Sequence, residues 1–207
     1  MASPPKPTLF YRVVALISWP IVYLLFRLRV RGLDDLPRAG GYVLAANHNS
    51  NFDPWALGLP LFPDRFLRFM AKSELFWWPL GPFIAACGAF KVRRGERDLE
   101  AIETAQRLCR EGHVVVMFPE GTRRKKGLRK KWEARAHTGA ARIALGAGVP
   151  LVPAAIKGTE RLAQLKLRVT YGAEVPLDDL RDRDPKEAAD VATERLMAAI
   201  HVLEETL

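Results

Sequence analysis

Tyr42-Val43-Leu44-Ala45-Ala46-Asn47-His48-Asn49-Ser50-Asn51-Phe52-Asp53-Pro54 is the stretch on which the fold turns. Five apolar residues running straight into a polar segment predict a buried strand that empties into a loop. Pro54 then opens a short apolar segment that ends at Leu59, read as a helix with Asp53 at its N-cap and Pro54 at N1. His48 and Asp53 would therefore stand at a strand-to-helix turn, held by rigid elements yet open to a ligand. Taken alone, the same residues describe a capped helix and an ordinary loop histidine.

A second stretch repeats the pattern. Val114-Val115-Val116-Met117-Phe118 is a continuous apolar run, as expected of a parallel strand buried on both faces. It leads into Pro119-Glu120-Gly121-Thr122-Arg123, another polar loop at the carboxyl end of a strand. Ligands of open α/β sheets bind outside the carboxyl ends of strands, so two such loops predict one shared crevice. Further strands are expected at Phe66–Met70, before Arg93-Arg94, at Gly148–Ile156 with prolines at its ends, and at Leu167–Tyr171 near the sheet edge. Helices are expected over Asp98–Glu111, with Leu99, Ile102, Ala105, Leu108 and Cys109 inward and Gly112 as C′ cap, and over Glu133–Leu145. Asp184-Pro185-Lys186-Glu187 supplies an N-cap, an N1 proline and an N3 glutamate for a last helix with Val191, Leu196, Ile200 and Leu203 inward. The fold class is α/β: one domain with a mostly parallel, mixed central sheet flanked by helices.

The chain has 207 residues, enough for one well-cored domain, and no repeat or second domain is visible. Its 32 Lys and Arg against 23 acidic residues leave a formal charge of +9, which suits an anionic partner. Cys87 and Cys109 stand far apart and form neither a CxxC pair nor a metal spacing, so no metal site is expected. Leu9 to Phe26 is almost wholly apolar but slightly short for a span and carries Pro20 near its middle. It reads as an interfacial or re-entrant helix pair, with Arg27, Arg29 and Arg31 facing anionic headgroups on the cytoplasmic side of a membrane. Residues 1–31 are thus expected to be a membrane-associating segment and residues 32–207 the globular domain, with Ala2 to Pro7 frayed. Trp77 and Trp78, amid prolines and glycines, fit a membrane interface, an acyl-binding wall or plain core. Arg123 to Lys131 holds seven basic residues in nine, either solvated or in contact with phosphate.

Four ordered segments, Asn47-His48 with Asp53, Gly88-Ala89-Phe90 through Arg94, Phe118-Pro119-Glu120-Gly121-Thr122-Arg123, and Val149-Pro150-Leu151-Val152-Pro153, resemble the motifs of the glycerolipid acyltransferases. The best-known members of that family are the 1-acylglycerol-3-phosphate acyltransferases. The resemblance runs from about Gly41 to Ile156. It implies transfer of a fatty acyl group from a thioester, acyl-CoA or acyl-carrier protein as co-substrate, to the free hydroxyl of a lysophospholipid, with no other cofactor. By the same resemblance His48 is the general base and Asp53 its partner, and backbone N–H groups in either polar loop would stabilise the oxyanion. Imidazole, which ordinarily titrates near ~6.5, is suited to taking a hydroxyl proton. Phosphate recognition falls to Arg94 and to the third block. There Gly121 allows close approach, Thr122 offers a hydroxyl, Arg123 a bidentate contact, and Glu120 orients an arginine or a substrate hydroxyl.

Two other classes of protein fit the chain less well. A non-catalytic basic protein binding lipid or nucleic acid would explain the charge but not the motifs, and no nucleic-acid motif is present. A hydrolase would lack the expected Gly-x-Ser-x-Gly elbow.

Overall fold

A computed structural model describes residues 7–92, 99–121 and 136–207. In chain order its elements are α1 Leu9–Pro20, β1 Arg29–Arg31, β2 Tyr42–Ala46, α2 Asp53–Gly58, β3 Leu67–Lys72, α3 Leu80–Ala86, β4 Ala89–Val92, α4 Leu99–Arg110, β5 Val114–Met117, α5 Gly139–Ala147, β6 Leu151–Lys157, β7 Arg168–Tyr171 and α6 Pro185–Glu205. The strands form one sheet in the order β1-β7-β6-β2-β5-β3-β4. β2, β3, β4, β5 and β6 run parallel, β7 is antiparallel to β6, and β1 is parallel to β7. The expected mixed, mostly parallel α/β sheet is therefore present.

β2 is central because both its faces are apolar. Tyr42, Leu44 and Ala46 project to one side and pack with Val114, Val116, Val152, Ile156 and Leu57. Val43 and Ala45 project to the other, among α4, α5 and α6, with Ala105, Ile143, Leu196 and Ile200. This alternation is the period of two expected of a strand. Burying both faces is what a parallel sheet between helices requires. In α6, Leu196 and Ile200 are buried as expected, while Val191 and Leu203 are half-buried. Asp184 caps that helix by accepting from Lys186 N and Glu187 N.

Several boundaries differ from expectation, each for a physical reason. Leu99 is exposed, and the inward position of the first turn of α4 belongs to Ala101. α5 begins at Gly139, because Ala136 to Thr138 are held off the helix by a bond from His137 N to the carbonyl of Pro119 at 2.8 Å. Glu133 to Arg135 lie outside the described residues. Pro153 sits inside β6 rather than at its end. Its carbonyl faces β7, accepting from Gly172 N, and the β7 ladder begins one residue later at Ala154. Its nitrogen points the same way, so the N–H it lacks is the one opposite Gly172, beyond the last paired rung with β7, and pairing with β2 is intact.

The N-terminal segment is one continuous helical run instead of a helix pair. α1 passes through Pro20 into a π-helical turn, Ile21–Leu25, without reversing. A proline removes one intrahelical donor, and a wider turn accommodates the gap. Among the described residues no helix is long and apolar enough to cross a membrane. Arg29 and Arg31 belong to β1, with Arg29 opposite Arg168, so this stretch is stitched to the sheet. Trp77 and Trp78 are 58% and 82% exposed, which removes the core alternative for them.

Gly41, which leads into β2, shows how closely the chain passes α4. A Cβ there would lie 2.1 Å from the carbonyl oxygen of Cys109 and 2.6 Å from that of His113. Both neighbours are backbone, so neither can swing aside. Gly41→Ala is expected to cost about 3 kcal/mol, at the upper end of overpacking penalties, read as a lower urea midpoint at unchanged slope.

Candidate active site

Three loops leave the carboxyl ends of the adjacent strands β6, β2 and β5 and meet at one edge of the sheet. The first holds Asn47 to Phe52, the second Phe118 to Gly121, the third Gly158 and Thr159. The crevice anticipated from the sequence is thus assembled by strand adjacency.

His48 and Asp53 are in contact: Nδ1 of the imidazole is 2.8 Å from Oδ2 of the carboxylate. Asp53 is wholly buried, and His48 retains 17% side-chain exposure. A carboxylate withdrawn from water needs partners, and Asp53 has four. Oδ2 also accepts from Asn49 N at 2.6 Å and Ser50 N at 2.8 Å, and Oδ1 accepts from Thr159 Oγ1 at 2.5 Å. The imidazole lies flat against the Phe118 ring, with centroids 4.1 Å apart and planes 17° from parallel. With Nδ1 directed at Asp53, Nε2 is the ring nitrogen left to accept a proton.

The expected N-cap role of Asp53 does not hold. α2 begins one residue earlier, at Asp53 itself, with Phe52 as its cap residue. The N–H groups of Trp55 and Ala56 bond the carbonyl of Phe52. The carboxylate instead points back into the preceding loop, where three donors outbid the helix end.

Asn47, Asn49 and Ser50, given no task on sequence grounds, build this loop. Asn47 continues the β2–β6 ladder with its side chain, accepting from Ile156 N at 2.8 Å and donating to Ile156 O at 2.9 Å. Asn49 Nδ2 reaches the same carbonyl at 2.9 Å. Ser50 Oγ accepts from Phe52 N. Thr159 was missed entirely; the only available signal was a small hydroxyl residue after a buried strand.

Of the residues anticipated for phosphate, Glu120 and Gly121 are at the site's second loop, and Arg94, Thr122 and Arg123 lie outside the described residues. Gly121 has φ +66, and the space a Cβ would fill holds the imidazole of His137 at 2.5 Å. The oxyanion donors anticipated from the first loop are largely taken. The N–H groups of Asn49, Ser50, Phe52 and Asp53 all have partners within it. In the second loop Gly121 N bonds Phe118 O. No group of three His, Cys, Asp or Glu side chains gathers among the described residues. Cys109 is buried, which pushes its thiol up to about 12, far from nucleophilic.

Mostly parallel strands with a polar crevice at their carboxyl ends define an α/β protein with a ligand site, and the chain belongs to the Acyltransferase family, whose pattern matches residues 27–157. It is 32% identical to a 1-acyl-sn-glycerol-3-phosphate acyltransferase of Bacillus subtilis, over 86% of this chain and 89% of the relative. It is 27% identical to the enzyme of that name from Streptococcus pneumoniae, over 79% of this chain and 61% of the relative. The crystal structure of the 1-acyl-sn-glycerophosphate (LPA) acyltransferase PlsC from Thermotoga maritima aligns with a TM-score of 0.64 at 25% identity, over 93% of this chain and 79% of that one.

Thr159→Val removes one donor from a buried carboxylate and leaves the fold's shape untouched. The expected loss is about 2 kcal/mol of stability, the range for hydrogen bonds to charged groups. Thr159→Ser should restore most of it, as read by thermal melting of the two variants side by side.

Proposed function

We propose that the protein transfers a fatty acyl group from acyl-CoA or acyl-carrier protein to the free hydroxyl of 1-acylglycerol-3-phosphate, giving phosphatidic acid. The names of the relatives support this acceptor. The observation that carries the mechanism is the sealed Asp53 bonded to Nδ1 of a partly exposed His48. Nε2 of His48 takes the acceptor's proton as its oxygen attacks the thioester carbonyl. The C–S bond then breaks, and the imidazolium returns the proton to the departing sulfur. Asp53 fixes the tautomer and stabilises the imidazolium, as the acid does in a Ser-His-Asp triad. Phe118 holds the ring's plane. The substrate hydroxyl stands where that triad has serine, so no acyl-enzyme is required. Arg94, Gly121, Thr122 and Arg123 are assigned to the acceptor's phosphate, and Glu120 to orienting an arginine or the acceptor's hydroxyl. Another lysophospholipid or a glycolipid is the alternative acceptor.

The reaction is placed at a membrane surface. α1 and its π-helical turn leave Leu9, Leu16, Ile17, Leu24 and Leu25 more than half exposed. Phe10 touches Phe83 of α3 edge-on at 5.8 Å, so this apolar face continues toward Trp77 and Trp78. The other side of α1 is docked on the domain: Trp55 Nε1 of α2 donates to Ser18 Oγ at 3.1 Å, and Tyr11 meets Phe66 edge-on. A helix with one docked and one apolar, exposed side lies in an interface. Its basic neighbours suit the anionic, cytoplasmic leaflet.

His48→Ala is expected to lower kcat by at least ~10²-fold, the lower bound for losing a general base, with a melting temperature lowered about as far as in Thr159→Val, since each removes one donor from Asp53, and an unchanged circular dichroism spectrum. Purified protein with labelled acyl donors and a panel of lysophospholipids, read by mass, tests both the base and the acceptor. Turnover by His48→Ala at the wild-type rate refutes the mechanism. Separately, Leu16→Glu with Leu24→Glu should abolish binding to phospholipid vesicles in a sedimentation assay while circular dichroism stays the same.

A further inference from the structure

Three neighbouring strands set basic residues side by side. Arg29 of β1 is in register with Arg168 of β7, and Arg168 with Lys157 of β6. Like charges directly opposite on adjacent strands destabilise a sheet. Among the described residues none of these three forms an ion pair, nor do Arg27 and Lys166. Arg27, Arg29, Lys166, Leu167 and Arg168 line a cleft of ≈70 Å³. Its walls are tied together: Leu167 N donates to Phe26 O, and Arg29 N to Leu167 O, both at 3.0 Å.

The backbone at the cleft is also unusual. Arg27 and Leu165 have φ of 48° and 50°, and they are the non-glycine residues with positive φ among the described residues. L side chains adopt this region at an energetic cost, which persists where surrounding contacts impose it. Here it bends both segments so that their basic side chains converge.

We infer that this cleft binds the phosphate of an anionic membrane lipid that is not a substrate of the acyl transfer; this rests on the membrane-surface reading above. The chemistry recognised is a phosphate ester, and the source is the bilayer. Arg27 follows the exposed Leu24 and Leu25 by three and two residues, so a headgroup in the cleft lies beside the apolar surface that would meet its chains. The acceptor's own phosphate is excluded. β1 is three strands from β2 in the sheet order, about 14 Å at the usual strand spacing. The hydroxyl and phosphate of a lysophosphatidic acid sit on adjacent glycerol carbons and cannot bridge His48 and the cleft. A lipid held here gives the domain a second point of attachment besides α1, which fixes its rotation on the surface.

The test uses the full chain and two kinds of vesicle, phosphatidylcholine alone and equal parts phosphatidylcholine and phosphatidylglycerol. Arg29→Gln with Lys166→Gln is compared with a control of equal charge loss, Arg142→Gln with Arg181→Gln. The control residues line a groove near Gly148 and Val149, before β6, at the far end of the sheet. The cleft variant is expected to lose roughly five-fold in affinity for the anionic vesicles per charge removed, the factor given by ~1 kcal/mol per basic residue at such a surface. The control should stay within about two-fold of wild type, because its charges lie beyond a Debye length from the membrane. Equal losses in both variants would show a diffuse charge effect and overturn the inference. So would unchanged vesicle affinity in the cleft variant together with a raised KM for the acyl donor, which would place the donor's phosphates in the cleft. Wild-type protein that binds neither vesicle overturns the membrane reading itself, whereas wild-type binding with no loss in the cleft variant overturns the cleft alone.

Discussion

The structure turns on one carboxylate removed from water. Asp53 is tolerable in the interior only because His48, Asn49, Ser50 and Thr159 all donate to it. Two of these donors are backbone groups of the loop that links β2 to α2, and a third comes from the loop after β6. The carboxylate therefore closes the loop, docks it on the neighbouring strand's exit and sets the imidazole in one stroke. Fold and site are not separable here. Any rearrangement that frees His48 must also strand a buried charge, which costs several kcal/mol. The crevice is consequently pre-formed, as sites stabilising developing charge are best built.

Much of this was legible in the chain. Tyr42 to Ala46 declared itself a buried strand, and Val114 to Phe118 a buried parallel one, by apolar continuity. The polar segments after them marked the sheet's functional edge. Other features were illegible for definite reasons. Thr159 acts on Asp53 from 106 residues away, and no local period signals such a contact. β1 is an arginine-bearing triplet that owes its extended form to a single neighbour, β7, so propensity does not announce it. Asp53 before Pro54 looked like a helix cap by local rules. Tertiary donors, invisible in the sequence, redirected it.

The same physics explains why Asn47 is an asparagine. Its amide offers one donor and one acceptor at the spacing of a peptide group, and it meets both backbone groups of Ile156. The side chain thus prolongs the ladder by a rung after the main chain has begun to leave the sheet. Aspartate lacks the donor, and glutamine carries the amide one methylene too far. A residue that looks like loop filler is in this sense the last rung of β2.

Between these two fastenings, the asparagine pair on Ile156 and the carboxylate on the loop's own N–H groups, lie Asn51 and Phe52. Both are exposed, Phe52 by 50%. The crown of the loop is therefore free to change side chains while its roots are not. Substitutions at these two positions therefore leave intact every bond that holds His48 and Asp53 together. The loop can vary at its tip and stay fixed at its base.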